Sequence, residues 1–119
     1  FDHILVDAPC SGLGVLHRRA DSRWRVKESD VKNLAKLQID LLDSSVRLLK
    51  DGGVLSYSVC TVTNQETVDV AKSLENRHPN LIPEKLFHER WRKIGNGLQI
   101  LPQDSGTDGM SMFQWKLAF

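Results

Sequence analysis

Residues 50–60 read Lys50-Asp51-Gly52-Gly53-Val54-Leu55-Ser56-Tyr57-Ser58-Val59-Cys60, and this stretch decides the architecture. A basic residue followed by two glycines is how a helix ends: the cation meets the negative end of the helix dipole, and glycine accepts the backbone conformation that closes the last turn. The next six residues are aliphatic, aromatic or small and carry no charge, so a strand begins at once. Upstream of the glycines, apolar residues recur at helical spacing. Leu34, Leu37, Leu41 and Leu48 form one line and Ile39, Leu42, Val46 and Leu49 another, a wide stripe expected to be buried, with Ser29 or Asp30 placed to cap the helix. Further back, residues 3–8 form a short apolar run ended by Pro9, the pattern of a buried parallel strand.

Strand, helix and strand joined by short connections predict a right-handed crossover between two parallel strands, which sets both strand tips on one edge of the sheet. Asp7 stands at the first tip, with Pro9 and Cys10 just beyond, and Cys60 stands at the second. Ser11-Gly12-Leu13-Gly14 reads as a turn and residues 18–27 as a loop. Downstream, Asn64 to Arg77 is a second helix, with Val68, Val70, Ala71 and Leu74 apolar and Pro79 ending it. Residues 81–91 fit neither period, Leu98 to Leu101 is a short strand, and Gly109 to Phe119 alternates as a final strand. The fold class is therefore α/β.

The 119 residues are 40% hydrophobic and 26% charged, which fits one globular domain at most. No apolar run approaches the roughly 18 residues of a membrane span, and no secretory signal opens the chain. A cytoplasmic location without membrane contact is the expectation. Because Phe1 already lies against a strand-like run, the chain is expected to begin inside a larger polypeptide. Net charge is only +1, yet basic residues cluster with tryptophan at His17-Arg18-Arg19, Arg23-Trp24-Arg25 and Arg90-Trp91-Arg92-Lys93. Such clusters suit a phosphate backbone with exposed bases, although taken alone they are more often a solvated surface over buried tryptophans. Cys10 and Cys60 are expected to be reduced thiols. The four histidines are scattered and the cysteines lack metal-ligand spacing, so no metal site is expected.

In open α/β sheets ligands bind beyond the carboxyl ends of the strands. Asp7, Cys10 and Cys60 map to that edge, an arrangement that suits covalent catalysis by a thiolate with an acid at hand. An aspartate capping a loop and two small buried cysteines would read the same way. Spacing alone leaves both readings open.

The wording of the motifs goes further. Asp7-Ala8-Pro9-Cys10-Ser11-Gly12-Leu13-Gly14 resembles the fourth motif of the Sun/Fmu family of RNA 5-cytosine methyltransferases. Leu37-Gln38 through Leu41-Leu42-Asp43 is similar to that family's intervening helix, and Gly52 through Thr61 to its sixth motif. Glu66 stands where the family has an acidic residue, and Leu101-Pro102 with Gly106-Thr107-Asp108-Gly109-Met110 resembles the stretch before its last strand. Two positions depart: Val59-Cys60-Thr61 replaces the family's Thr-Cys-Ser, and Asp108-Gly109-Met110-Ser111 its Asp-Gly-Phe-Phe.

The resemblance implies the C-terminal half of a Rossmann-like class I sheet with its first strands absent, so that residues 1–119 make a single, incomplete domain. It implies S-adenosylmethionine as cofactor, Cys60 as nucleophile, Cys10 as the thiol that helps release product, and Asp7 as the acid at the target base. Asp7 and Pro9 would touch the cofactor, whose main glycine-rich loop has no counterpart in these residues. Arg18, Arg19 and Arg23 would contact RNA, with ribosomal RNA as the expected substrate. The isolated chain is expected to be inactive, to bind cofactor weakly, and to self-associate through an unpaired strand edge. Two alternatives are a DNA-type cytosine methyltransferase with Cys10 as nucleophile, and a catalytically silent RNA-binding module of the same fold.

Overall fold

The computed structural model describes residues 1–10, 28–61, 63–86, 89–100 and 109–118. In chain order these form β1 (His3–Asp7), α1 (Glu28–Leu48), β2 (Val54–Val59), α2 (Val68–Arg77), β3 (Leu81–Pro83), β4 (Arg92–Ile94), β5 (Gly97–Ile100) and β6 (Met110–Leu117). β1 and β2 pair in parallel from His3↔Val54 to Asp7↔Ser58, as the strand–helix–strand pattern requires. The six-stranded sheet runs β1-β2-β6-β5-β4, with β3 also on β6. Among the described residues, every pairing outside β1–β2 is antiparallel. Gly52 takes φ 79°, the left-handed conformation that lets the chain leave α1 and enter β2.

Both helices lie on one face of the sheet. There Leu42, Val46 and Leu49 of α1 and Val70, Ala71 and Leu74 of α2 pack on Leu55, Tyr57, Val59, Phe113 and Trp115. β6 shows why: Ser111, Phe113 and Trp115 are buried in strict alternation, so every second side chain turns toward the helices. The opposite face carries a polar ladder. Ser56 Oγ lies 3.1 Å from His3 Nε2 and 3.0 Å from Gln114 Oε1, and Gln114 Nε2 donates to Glu84 Oε2 at 2.5 Å.

The expected stripe on α1 is too wide. Leu37, Leu41 and Leu48 are 43%, 37% and 59% exposed, and the inward line is instead Val31, Gln38, Leu42, Val46 and Leu49. A helix laid on a sheet buries one face, and the Leu37–Leu41–Leu48 line turns out of it. α1 begins at Glu28, so Ser29 and Asp30 fall inside its first turn rather than before it. α2 likewise starts later than the Asn64 expectation. Residues 64–67 form a turn, in which Asn64 O accepts from the amides of Thr67 and Asp69 at 3.2 and 3.0 Å. Among the described residues, no helix is long and apolar enough to cross a membrane.

The region that fitted neither period holds β3, and β4 follows it; three residues each are too few to show alternation. β4 and β5 form a hairpin over Gly95-Asn96, with Gly95 at φ 56°. Gly97, which opens β5, sits directly against β6: a Cβ there would lie 2.4 Å from Met112 O and 2.6 Å from Phe113 Cδ1. Gly97→Ala should therefore cost about 1–3 kcal/mol through forced displacement of β5. A urea midpoint unchanged within error would show that the hairpin shifts freely.

Candidate active site at the strand tips

The site is built by register. Asp7 pairs with Ser58, and the amide of Ala8 continues the ladder to Ser58 O at 3.1 Å. The ends of β1 and β2 therefore reach one rim. Asp7 and Pro9 are exposed there, Cys10 is half-buried against the core, and Cys60, immediately after β2, is half-buried as well. Neither cysteine forms a disulfide. Of the residues expected to do chemistry, Asp7, Cys10 and Cys60 thus share one rim. Arg18, Arg19 and Arg23, expected at RNA, lie outside the described residues, as do Ser11 to Gly14 and residues 101–108.

Behind the rim stands a buried polar network. Gln38 and Glu66 are both fully buried. Gln38 Nε2 donates to Pro9 O at 2.8 Å and to Glu66 Oε1 at 3.2 Å. Glu66 Oε2 accepts from the hydroxyls of Thr61 at 2.8 Å and Thr63 at 2.7 Å. A buried carboxylate is tolerable only when such donors replace its hydration. Tyr57 closes the network, its hydroxyl donating to the Glu66 carbonyl oxygen at 2.8 Å. Burial first, and then the negative charges of Glu66 and Cys10, push the Tyr57 phenol far above its ordinary range, so it remains a proton donor at any physiological pH.

The two departures from the family pattern both find a physical place here. Val59 is fully buried in the core. The hydroxyl beside Cys60 comes instead from Thr61, which follows it. Ser111 Oγ donates to Thr61 O at 2.8 Å and lies 3.0 Å from Gln99 Nε2, so β6 grips the same loop from the other side.

The remaining basic cluster is also carried toward this rim. The pairings Val59↔Ser111, Ser111↔Gln99 and Gln99↔Arg92 run in one row across β2, β6, β5 and β4. Arg92 is exposed, and with about 4.8 Å between strands it stands roughly 14 Å along the rim from the end of β2.

Gln38 and Glu66 were not among the residues singled out for chemistry. A signal for the first existed: Val31, Gln38, Leu42 and Leu49 follow a spacing of seven, four and seven, so Gln38 is the polar member of an otherwise apolar line. A polar residue in that position is either a mistake in the pattern or a bond made indoors.

Comparison with known proteins bears on the family and the fold. A family model described as 16S rRNA methyltransferase RsmB/F matches residues 1–117. The probable ribosomal RNA small subunit methyltransferase B of Bacillus subtilis is 43% identical over 115 residues, covering 92% of this chain and 26% of that protein. A crystal structure named PH0851 superposes with a TM-score of 0.91 at 28% identity, over 96% of this chain and 26% of that one. A methyltransferase homolog protein from Pyrococcus horikoshii gives 0.81 at 26% identity, over 98% and 39%. The chain spans about a quarter of the length of the curated relatives it matches.

Proposed function

The chain belongs to the 16S rRNA methyltransferase RsmB/F family, and from that premise we propose that it forms part of an enzyme that methylates carbon 5 of a cytosine in ribosomal RNA through a covalent bond to Cys60. The fold is that of Rossmann-like methyltransferases. The observation that carries the reading is the shared rim: a parallel register brings the tip bearing Asp7 and Cys10 beside the tip bearing Cys60.

Carbon 5 of cytosine is too weak a nucleophile to take a methyl group unaided. The Cys60 thiolate adds to carbon 6, forming the S–C6 bond and moving the C5–C6 π pair to carbon 5, which becomes enamine-like. Asp7, at the exposed end of β1, holds or protonates ring nitrogen 3 so that charge does not build up in the ring. Once carbon 5 carries the methyl group, its remaining proton passes to a general base. The C5–H pair then restores the double bond, and the S–C6 pair returns to Cys60. Cys10, on the neighbouring tip, assists that release. The target base must leave its stack to reach half-buried thiols, which favours a looped or single-stranded site.

S-adenosylmethionine, when bound, supplies the electrophilic methyl group. Of this chain's residues, Asp7 and Pro9 fit its near edge: the Asp7 carboxylate faces solvent at the rim, and Pro9, which has no N–H to donate, presents its ring there. Arg92 and its neighbours at the rim, with Arg18, Arg19 and Arg23, supply cations for the RNA backbone. The isolated 119 residues should bind the cofactor weakly, since they contain no G-x-G-x-x-G cofactor loop. They should also self-associate, because β1 is the sheet's edge and exposes Leu5 at 63%. Stoichiometric tight binding in a calorimetric titration, or a clean monomer by light scattering at high concentration, would contradict these expectations.

The deciding experiment incubates a full-length polypeptide carrying these residues with unmethylated small-subunit ribosomal RNA. We expect 5-methylcytosine among the digested nucleosides, and a trapped protein–RNA complex when the target carries fluorine at carbon 5, where no proton can be removed. Methylation at another atom, or no trapped complex, would overturn the assignment.

A further inference from the structure

We propose that Gln38 and Glu66 are positioning residues: one hydrogen-bonded relay that sets the Cys10 loop against the Cys60 loop and thereby governs release of the covalent adduct. The inference rests on the function proposed above. Its geometry is a continuous path from one cysteine-bearing loop to the other. Pro9, which directly precedes Cys10, accepts from Gln38 at 2.8 Å; Gln38 donates to Glu66 at 3.2 Å; Glu66 accepts at 2.8 Å from Thr61, which directly follows Cys60. The parallel register itself ends at Asp7↔Ser58, before either cysteine. The relay therefore spans the tips where the strand register no longer does.

Both residues are fully buried, so they act on the reaction through the loops they hold rather than by touching the base. Their orientation is fixed. Both hydrogens of Gln38 Nε2 are used, and its Oε1 is buried with no partner. Turning the amide over would set that oxygen against two acceptors, so the residue keeps one orientation and leaves one acceptor unsatisfied. Such an arrangement is what a fixed spacer requires. It matters most for the step that needs both thiols at one ring: attack uses Cys60 alone, whereas release needs Cys10 near a base already bound to Cys60. Displacement of about 1 Å at such a site costs about a hundredfold in rate.

The test uses a full-length polypeptide carrying these residues, with cofactor and unmethylated ribosomal RNA. Glu66→Gln is nearly isosteric, but its amide nitrogen must face either the Gln38 donor or the two threonine hydroxyls. Gln38→Met keeps the volume and removes both donors. Each variant is read for thermal midpoint, for the rate of adduct formation on RNA, and for the fraction of protein held as adduct during turnover. We expect folded variants whose adduct forms within about threefold of the parent rate while release slows about tenfold or more, so that the covalent complex accumulates. Ser45→Ala, which removes an exposed side-chain hydrogen bond on α1 away from the path, should release at the parent rate. Parent-like release in folded Glu66→Gln and Gln38→Met would overturn the relay, as would an equal fall in adduct formation and release, the mark of a merely structural role. If the parent itself forms no Cys60-dependent adduct, the functional reading and the relay fall together; a parent adduct with unaffected variants removes the relay alone.

Discussion

Replacing Cys60 by alanine in a full-length polypeptide carrying these residues is expected to lower methyl transfer by about 10⁴-fold or more and to abolish the covalent RNA complex. The magnitude follows from the role. Without sulfur addition at carbon 6, carbon 5 keeps its aromatic character, and no arrangement of binding groups substitutes for the lost bond. The fold should be unaffected, because Cys60 lies beyond the last residue of β2 and is only half-buried. Cys10→Ala should behave differently. The adduct should still form and should persist, since the thiol assigned to release is the one removed. The reverse outcome, adduct lost with Cys10→Ala and kept with Cys60→Ala, would exchange the two roles and favour the DNA-type order of events. Parent protein that binds RNA but neither methylates it nor forms an adduct would indicate a silent binding module.

The architecture around this site was legible where the hydrophobic period changes sharply. Residues 50–60 pass from helix end to glycine to strand within a few positions, and the structure places β2 at Val54–Val59. The parallel pairing of β1 and β2 followed from one helix standing between two strands, with a short connection from α1 into β2. Which side of α1 faces the sheet was not legible. Two apolar lines run along it, and only tertiary packing chooses the line through Leu42 and Val46 over the line through Leu37 and Leu41. The short β3 and β4 escaped for a different reason, as three residues cannot display a period.

The site divides in the same way. The residues proposed to react stand at strand ends, where sequence position and chemistry coincide, so Asp7, Cys10 and Cys60 could be put forward as candidates from the chain alone. The supporting residues act across long sequence separations. Gln38 reaches a carbonyl 29 residues earlier and a carboxylate 28 residues later. Ser111 reaches back 50 residues to the loop after Cys60. Nothing local distinguishes a glutamine that bonds indoors from one that faces water, except its place in an apolar line. The threonine and serine that replace the family's usual residues are hydrogen-bonded to this same loop, which is why the substitutions at Val59 and Ser111 leave the loop held.

Trp115→Ala is expected to be the most damaging substitution for stability, at about 3–5 kcal/mol. Trp115 is 1% exposed and sits in β6 between Leu55 of β2 and Pro83 of β3. Its ring stacks beside Phe113, with centroids 6.1 Å apart and planes 12° apart, and its indole N–H donates to Glu75 of α2 at 3.3 Å. Removing it opens a cavity between sheet and helix and leaves Glu75 without that donor. Domains of this size are held by about 5–15 kcal/mol in total, so the loss is a large fraction of what is available. Trp115→Phe keeps a ring against Phe113 and loses mainly volume and the N–H bond, so roughly 1–3 kcal/mol is expected. Urea unfolding followed by far-ultraviolet circular dichroism measures both. A loss below about 1 kcal/mol for the alanine variant would mean that the α2–β6 contact is not what holds β6 against β2. The consequence would reach the site, because β6 also carries Ser111, whose hydroxyl holds the carbonyl of the residue after Cys60.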